Sequence, residues 1–280
     1  MIEFFLAVLT FWTHLVLLSV GLQFIYSSAK TLNLSHGSFF VLGGYVASWA
    51  FAALGNFGIA VFAAVGVAAL AGAAFYIGVS RLARDETSQL FFTFSLFWIF
   101  EGIYRTVFGV GIYNAYAFAE SLGRAAGIPW AYILGATAAA AALTAVYLLL
   151  YKTPWGLYLR AAGDNPLMAE ALGVKSGLVH GTGVVLGVAL AALGGAVSSM
   201  WQSFTPGLAG VALVYAFAVV AMAGLGNVMG ALVASLIISL IRTASVFYAP
   251  ELELFSIYIA VLAVLAVKPS GLFTRHERRV

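Results

Sequence analysis

The sequence predicts an all-α fold, a polytopic transmembrane helix bundle, and three observations carry that prediction. Apolar residues make up 63% of the 280 and charged residues only 8%, against roughly 45–50% and about 25% in soluble domains. Apolar runs recur along the whole chain at close to the ~20 residues needed to cross a hydrocarbon core of about 30 Å as a helix. No strand-period alternation, which a transmembrane barrel would show, competes with them. The same composition excludes a soluble domain, a disordered chain, a secreted disulfide scaffold and a nucleic-acid-binding surface.

Taken in order, the runs give eight or nine spans in a single transmembrane domain covering residues 1–280. They are 4–27, 37–54, 58–79, 89–108, 130–151, 179–200, 208–225, 228–247 and 254–267, the second and last being short. Met1-Ile2-Glu3 lacks the basic start of a signal peptide, so the first run reads as a retained helix. The 30 glycines and runs such as Gly43-Gly44, Ala138 to Ala142 and Gly194-Gly195-Ala196 fit close helix–helix approach, which packing in lipid requires.

Charge orients the bundle. Arg81 and Arg84 share one connection, Lys152, Arg160 and Lys175 a longer one, and Lys268, Arg275, Arg278 and Arg279 the C-terminus. Nine alternating spans put all three segments on one side, which the positive-inside rule makes cytoplasmic. The opposite connections hold Glu120, Glu251 and Glu253 with Arg124. The N-terminus is then outside and the C-terminus inside, across a cytoplasmic (inner) membrane.

Residues 152–178 form the long polar cytoplasmic connection, with a short helix expected near 166–172. Asn165 is placed to cap it, Pro166 to occupy its first turn and Gly173 to stop it. Leu167, Met168, Ala171 and Leu172 give it an apolar face. So short a helix needs a docking partner: either its own bundle and the headgroup layer, or a cytoplasmic protein.

Within the membrane, Asn33-Leu34-Ser35-His36-Gly37 interrupts an otherwise continuous apolar run, predicting a broken helix near 30–37. Such a break is tolerated only where it is buried in protein or lines a wet cavity; a plain interfacial turn, with Lys30 reaching the cytoplasm, is the other reading. Glu101 and Arg105 lie four apart on one helical face, where they can pair. An intramembrane acid marks a functional site by default. Arg242 fits either an outward snorkel or a cavity. Three glycines in 224–230 read as a tight turn, and Trp49, Trp130, Trp155 and Trp201 as interfacial anchors.

The chain has no cysteine, its four histidines (His14, His36, His180 and His276) are scattered, and no Gly-x-x-x-x-Gly-Lys-Ser/Thr phosphate loop is present. No metal, cofactor or ATPase motif of its own is therefore expected. Intramembrane hydrolase and isoprenoid-enzyme motifs are also missing.

Four segments carry a family resemblance. Arg160 to Val174 (Arg-Ala-Ala-Gly-Asp-Asn-Pro-Leu-Met-Ala-Glu-Ala-Leu-Gly-Val) resembles the cytoplasmic loop of branched-chain amino acid ABC transporter permeases. Leu32 to Tyr45 is similar to that family's Asn-Phe-Ala-His-Gly-Glu-Phe segment, Gly224 to Ala231 to its glycine-rich turn, and Lys268 to Phe273 to its Arg-Pro-x-Gly-Leu-Phe ending. The family's acid after His-Gly is Ser38 here, which leaves the identity of the solute open.

The resemblance implies a permease subunit paired with a second permease, two cytoplasmic ATP-binding subunits that use the ATP, and an extracytoplasmic solute-binding protein. It makes Arg160, Asp164, Asn165, Pro166, Ala169, Glu170, Leu172 and Gly173 the ATPase-coupling set. Asn33, Ser35, His36, Gly37 and Glu101 become the solute pathway. Branched-chain amino acids are the default solutes, with urea or amides as others. An ion-coupled carrier or channel is the rival reading; it would rely on buried acids, of which Glu101 is the one on offer, with Arg105 expected to neutralise it.

Overall fold

A computed structural model describes residues 2–83 and 85–274. Arg84, Arg275, Arg278 and Arg279 of the basic clusters, with Met1 and His276, lie outside the described residues. Twelve α-helices dominate the described residues, and their only sheet is a two-stranded hairpin, β1 (Arg124–Ala125) and β2 (Ile128–Pro129). Seven helices are long and apolar enough to cross a membrane: α1 (Ile2–Ala29), α2 (His36–Leu54), α3 (Phe57–Leu82), α4 (Glu86–Val107), α6 (Trp130–Lys152), α9 (Ser176–Ser198) and α11 (Val228–Tyr248). Two shorter apolar helices, α10 (Leu208–Ala223) and α12 (Glu253–Val267), complete the nine anticipated runs. The polytopic helical bundle is as the composition requires.

At the centre, α9 packs against α1, α2 and α3. Small residues set that approach. A Cβ on Gly21 would strike the carbonyl of Gly187, one on Gly43 the carbonyl of Ala192, and one on Gly195 the carbonyl of Phe40. In lipid, where apolar surface gains little by leaving the solvent, such backbone proximity supplies the packing. Outer helices show the reverse: Phe62 of α3, Phe91 of α4 and Leu262 of α12 are exposed, as lipid-facing side chains are.

Two helices start inside the bundle rather than at its ends. His36, the first residue of α2, donates from Nε2 to the carbonyl of Leu18 at 2.9 Å. Yet α1 runs on from Leu18 to Ala29, roughly 16 Å further at 1.5 Å per residue. The connection between α1 and α2 therefore climbs back into the core, and Thr31, Asn33 and Ser35 along it are buried. The expected break near 30–37 takes this form: a buried re-entry, not an interfacial turn. The segment before α10 is only partly buried, with Phe204 inside and Gly207 exposed. Phe204 pairs with Tyr113 in an isolated bridge, and the start of α10 lies against the start of α2, where a Cβ on Gly37 would meet the Ala209 carbonyl.

The connection after α6 holds two helices where one was expected. α7 (Pro154–Asp164) precedes α8 (Pro166–Ala171). Thr153 caps α7 by accepting from the Gly156 N–H at 3.1 Å, with Pro154 in the first turn. Asn165 caps α8 in the same way, accepting from the Met168 N–H at 3.0 Å. Gly173 follows with φ +87, a left-handed stop that glycine adopts without a Cβ clash. A small helix, α5 (Tyr116–Ser121), and the β1–β2 hairpin fill the α4–α6 connection at the opposite end.

Candidate functional site

A cavity of about 400 Å³ opens among α1, α2, α10, α11 and α12, toward the end of the bundle opposite α8. Its walls divide by chemistry. Leu15, Leu18, Phe40 and Ala212 supply an apolar side, and His14, Tyr215, Arg242 and Glu253 a polar one.

The polar side is organised around one ion pair. Arg242 holds Glu253 Oε1 from two nitrogens, Nε at 2.8 Å and Nη2 at 2.7 Å. It is the only ion pair among the described residues. The Tyr215 hydroxyl donates to the same Oε1 at 3.3 Å, and the guanidinium lies 4.4 Å from the centroid of the Phe11 ring, a cation–π position. Glu253 Oε2 and Arg242 Nη1 make no hydrogen bond among the described residues, so each partner keeps one charged atom free. Phe11 also meets Tyr215 and His14 edge-on, with centroids 5.2 and 4.9 Å away. His14 Nδ1 donates to the Thr10 carbonyl at 3.0 Å.

Local sequence explains why these groups point inward. The buried face of α11 runs Ala231, Ala234, Ile238, and Arg242 falls one turn further on that stripe. Its head is thereby delivered to the cavity rather than to lipid. The short 3₁₀ turn Pro250–Leu252 brings α12 straight back, placing Glu253 in its first turn, where an acid is favoured. The periodicity of α11 was the available signal for Arg242. Nothing in the sequence joins His14, Tyr215 and Glu253 to it.

The residues expected along the pathway lie deeper. Asn33 Oδ1 accepts from the Ser35 N–H at 3.0 Å and hydroxyl at 2.7 Å. Asn33, Ser35 and His36 are fully buried and do not line the cavity. They touch it indirectly, because His36 holds the backbone of Leu18, whose residue is part of the cavity wall. Gly37 sits against the start of α10, and Glu101 reaches the same helix start, accepting from the Gly207 N–H at 3.0 Å through Oε2.

The expected Glu101–Arg105 pair is not formed. Glu101 is buried and Arg105 exposed, because an open helix N-terminus inside the bundle is the nearer and better-aligned partner. Several buried polar atoms around the two helix starts lack partners: Asn33 Nδ2, His36 Nδ1, Ser38 Oγ, Tyr45 Oη and Glu101 Oε1. Trp201, read from sequence as an anchor, instead lines the cavity with its indole nitrogen unpartnered.

The loop set separates into internal and external members. Arg160 donates to the Leu150 carbonyl and lies 4.8 Å from the Tyr151 ring centroid, which ties α7 to α6. Ala169 is buried against the bundle. Asp164, Pro166, Glu170 and Gly173 are exposed. Leu167, Met168 and Leu172 are 80%, 59% and 79% exposed. Thus α8 docks through a small residue and turns its large apolar ones outward.

Comparison with known proteins agrees with this architecture. Residues 4–267 match the family described as "Branched-chain amino acid transport system / permease component". A probable branched-chain amino acid transport permease protein LivH from Methanocaldococcus jannaschii is 26% identical, with 92% of this chain and 88% of the relative covered. The high-affinity branched-chain amino acid transport system permease protein BraD of Pseudomonas aeruginosa is 21% identical, with 96% and 94% covered. Among solved structures, PsaBC from Streptococcus pneumoniae in complex with Fab shares the fold, with a TM-score of 0.52, 15% identity, and 93% of this chain and 88% of that chain covered.

Proposed function

The chain belongs to the branched-chain amino acid transport permease family, and from that membership we propose that it is the membrane-spanning subunit of an ATP-driven importer for amino acids with apolar side chains. The observation that carries the reading is the divided cavity. An α-amino acid is a zwitterion with a side chain. Arg242 Nη1 offers a donor to its carboxylate and Glu253 Oε2 an acceptor to its ammonium, laid antiparallel to the existing ion pair. Leu15, Leu18, Phe40 and Ala212 offer the side chain an apolar wall. Urea and short amides have no full charges for the first pair, and urea has no apolar group for the second.

The end carrying α8 is cytoplasmic in this proposal, and the cavity faces outside, toward a solute-binding protein. The N-terminus is outside and the C-terminus inside. ATP is bound and hydrolysed by two separate cytoplasmic subunits, and a second permease subunit completes the pore. α8 receives the ATPase on Leu167, Met168 and Leu172, with Asp164 and Glu170 at the rim. Clamps at Arg160 and Ala169 pass its displacement to α6 and α9. The inward route runs behind Leu18, past Asn33, Ser35, His36 and Gly37, where the starts of α2 and α10 meet and Glu101 holds the latter. Rigid-body tilting about that junction would alternate access.

The test is uptake by the complete importer in proteoliposomes, with radiolabelled leucine and urea compared at equal concentration. Leucine uptake at least tenfold above urea is expected. Urea uptake equal to or above leucine would overturn the assignment.

A further inference from the structure

A second concavity, unrelated to the first, lies on the flank of the bundle at the α8 end. It measures about 530 Å³ and is bounded by α3, α6, α9 and Trp155 of α7. Its floor is a stripe of α9, Gly177, Gly181 and Val185, which rises roughly 12 Å from the helix start. Ile77 of α3 and Leu149 of α6 form its sides. The Tyr76 hydroxyl donates to the Gly177 carbonyl at 2.7 Å, and the side chain fills the space a Cβ on Gly181 would need. The α3 wall is thereby held against α9, with Tyr76 seated over the two glycines.

Beyond its lower end, each bounding helix carries a cation. Arg81 is one turn beyond Ile77 on α3, Lys152 one turn beyond Leu149 on α6, and Lys175 one turn before Leu178 on α9. All three are exposed, and none has an ion-pair partner among the described residues. The same end holds the start of α9, where Ser176 and Leu178 already donate to backbone carbonyls and the Gly177 N–H is left without an acceptor among the described residues. Such a helix end attracts phosphate. An apolar groove running toward a helix start, with an unpaired cation beyond it on each bounding helix, is complementary to one class of molecule.

The geometry points to a binding site for an anionic phospholipid: the headgroup phosphate at the start of α9 among Arg81, Lys152 and Lys175, and one acyl chain along Gly177, Gly181 and Val185. Basic recesses between helices on the cytoplasmic side recognise anionic headgroups in this way, at about 1 kcal/mol, or roughly fivefold, per charge. Trp155 at the mouth is both wall and reporter. The site rests on the chain being membrane-spanning and on the proposed orientation of the α8 end, and not on the solute or the ATPases.

The experiment uses the full chain in phosphatidylcholine vesicles doped with brominated phosphatidylglycerol or, separately, brominated phosphatidylcholine. Bromine quenches nearby indoles, and the Trp155 share is taken as the difference from Trp155→Phe. Half-quenching of that share at a mole fraction at least about tenfold lower for the anionic lipid is expected. The variant Arg81→Gln/Lys152→Gln/Lys175→Gln should lose the preference, while Lys30→Gln, on another face of the same end, should keep it. Equal quenching by the two lipids would overturn the proposal as ordinary lipid contact. No quenching by either would overturn it in favour of a second copy covering the face. Unfolding temperatures of the variants, expected to match the parent, separate loss of lipid from loss of fold.

Discussion

Glu101 on α4 holds the backbone N–H of Gly207 at 3.0 Å, so a side chain from one helix closes the open N-terminus of another inside the bundle. Gly207 adopts φ +93 and brings no side-chain cap of its own, which leaves Glu101 as the partner of an otherwise orphaned donor. Replacing Glu101 with Leu should lower stability by about 1–3 kcal/mol, the usual cost of an unmade buried hydrogen bond. Glu101→Gln, which keeps an acceptor oxygen, should recover most of it. Arg105→Gln should change stability by less than about 0.5 kcal/mol, because Arg105 is not its partner. Thermal unfolding of the three variants in detergent checks the ordering.

Arg242 and Glu253 make the second prediction. Their side chains are 29% and 32% exposed, and pairs in such settings contribute roughly 0.2–1 kcal/mol to stability. Arg242→Gln and Glu253→Gln should therefore fold and assemble. Each removes a charged hydrogen bond to the solute, worth about 1.5–3 kcal/mol, so uptake should fall at least tenfold. Retained uptake in either variant, measured beside normal co-purification of the ATPases, would remove the pair from the solute site.

The third concerns α8. Leu167→Ser and Leu172→Ser alter residues that are 80% and 79% exposed, so the permease should unfold at a nearly unchanged temperature while ATPase co-purification drops. Glu170→Lys should act in the same direction. Gly173→Val forces a β-branched residue to φ +87, costing roughly 1–3 kcal/mol locally, and should misplace α8 and weaken docking as well. Pull-down of tagged ATPase from membranes reads all four.

The fourth separates packing glycines from idle ones. A Cβ on Gly195 runs into the Phe40 carbonyl, whereas one on Gly66 or Gly102 meets nothing. Gly195→Leu should reduce folded yield severely, by several kcal/mol of overpacking against backbone. Gly66→Ala and Gly102→Ala should be neutral or slightly stabilising, since alanine is the better helix former. Size-exclusion profiles of the three variants are the measurement.

Legibility in the sequence followed the range of the interaction. The spans were readable because hydropathy is local, and so was α8, because Asn165, Pro166 and Gly173 act within a few residues. The cap and proline of α7, Thr153-Pro154, carry the same signal as Asn165-Pro166 and stood in plain view. Glu101 was found as a buried acid, yet its partner was misassigned, since i,i+4 spacing points to Arg105 while Gly207 approaches from a helix far along the chain. The cavity was least readable. His14, Tyr215, Arg242 and Glu253 come from four helices, and only the inward stripe of α11 hinted at one of them. Asn33, Ser35 and His36 read as a polar break, either inside the bundle or at its interface, and their place behind Leu18 depends on the climb of the α1–α2 connection, which no local pattern encodes.

The central claim is that this chain moves its solute with energy borrowed from separate ATPases. The direct measurement is leucine uptake into proteoliposomes, with and without co-reconstituted ATPases and binding protein, in the presence of ATP or of imposed ion gradients. Uptake should require ATP and both partners and should persist when ionophores collapse every gradient. Gradient-driven uptake by the chain alone, without nucleotide, would contradict the account.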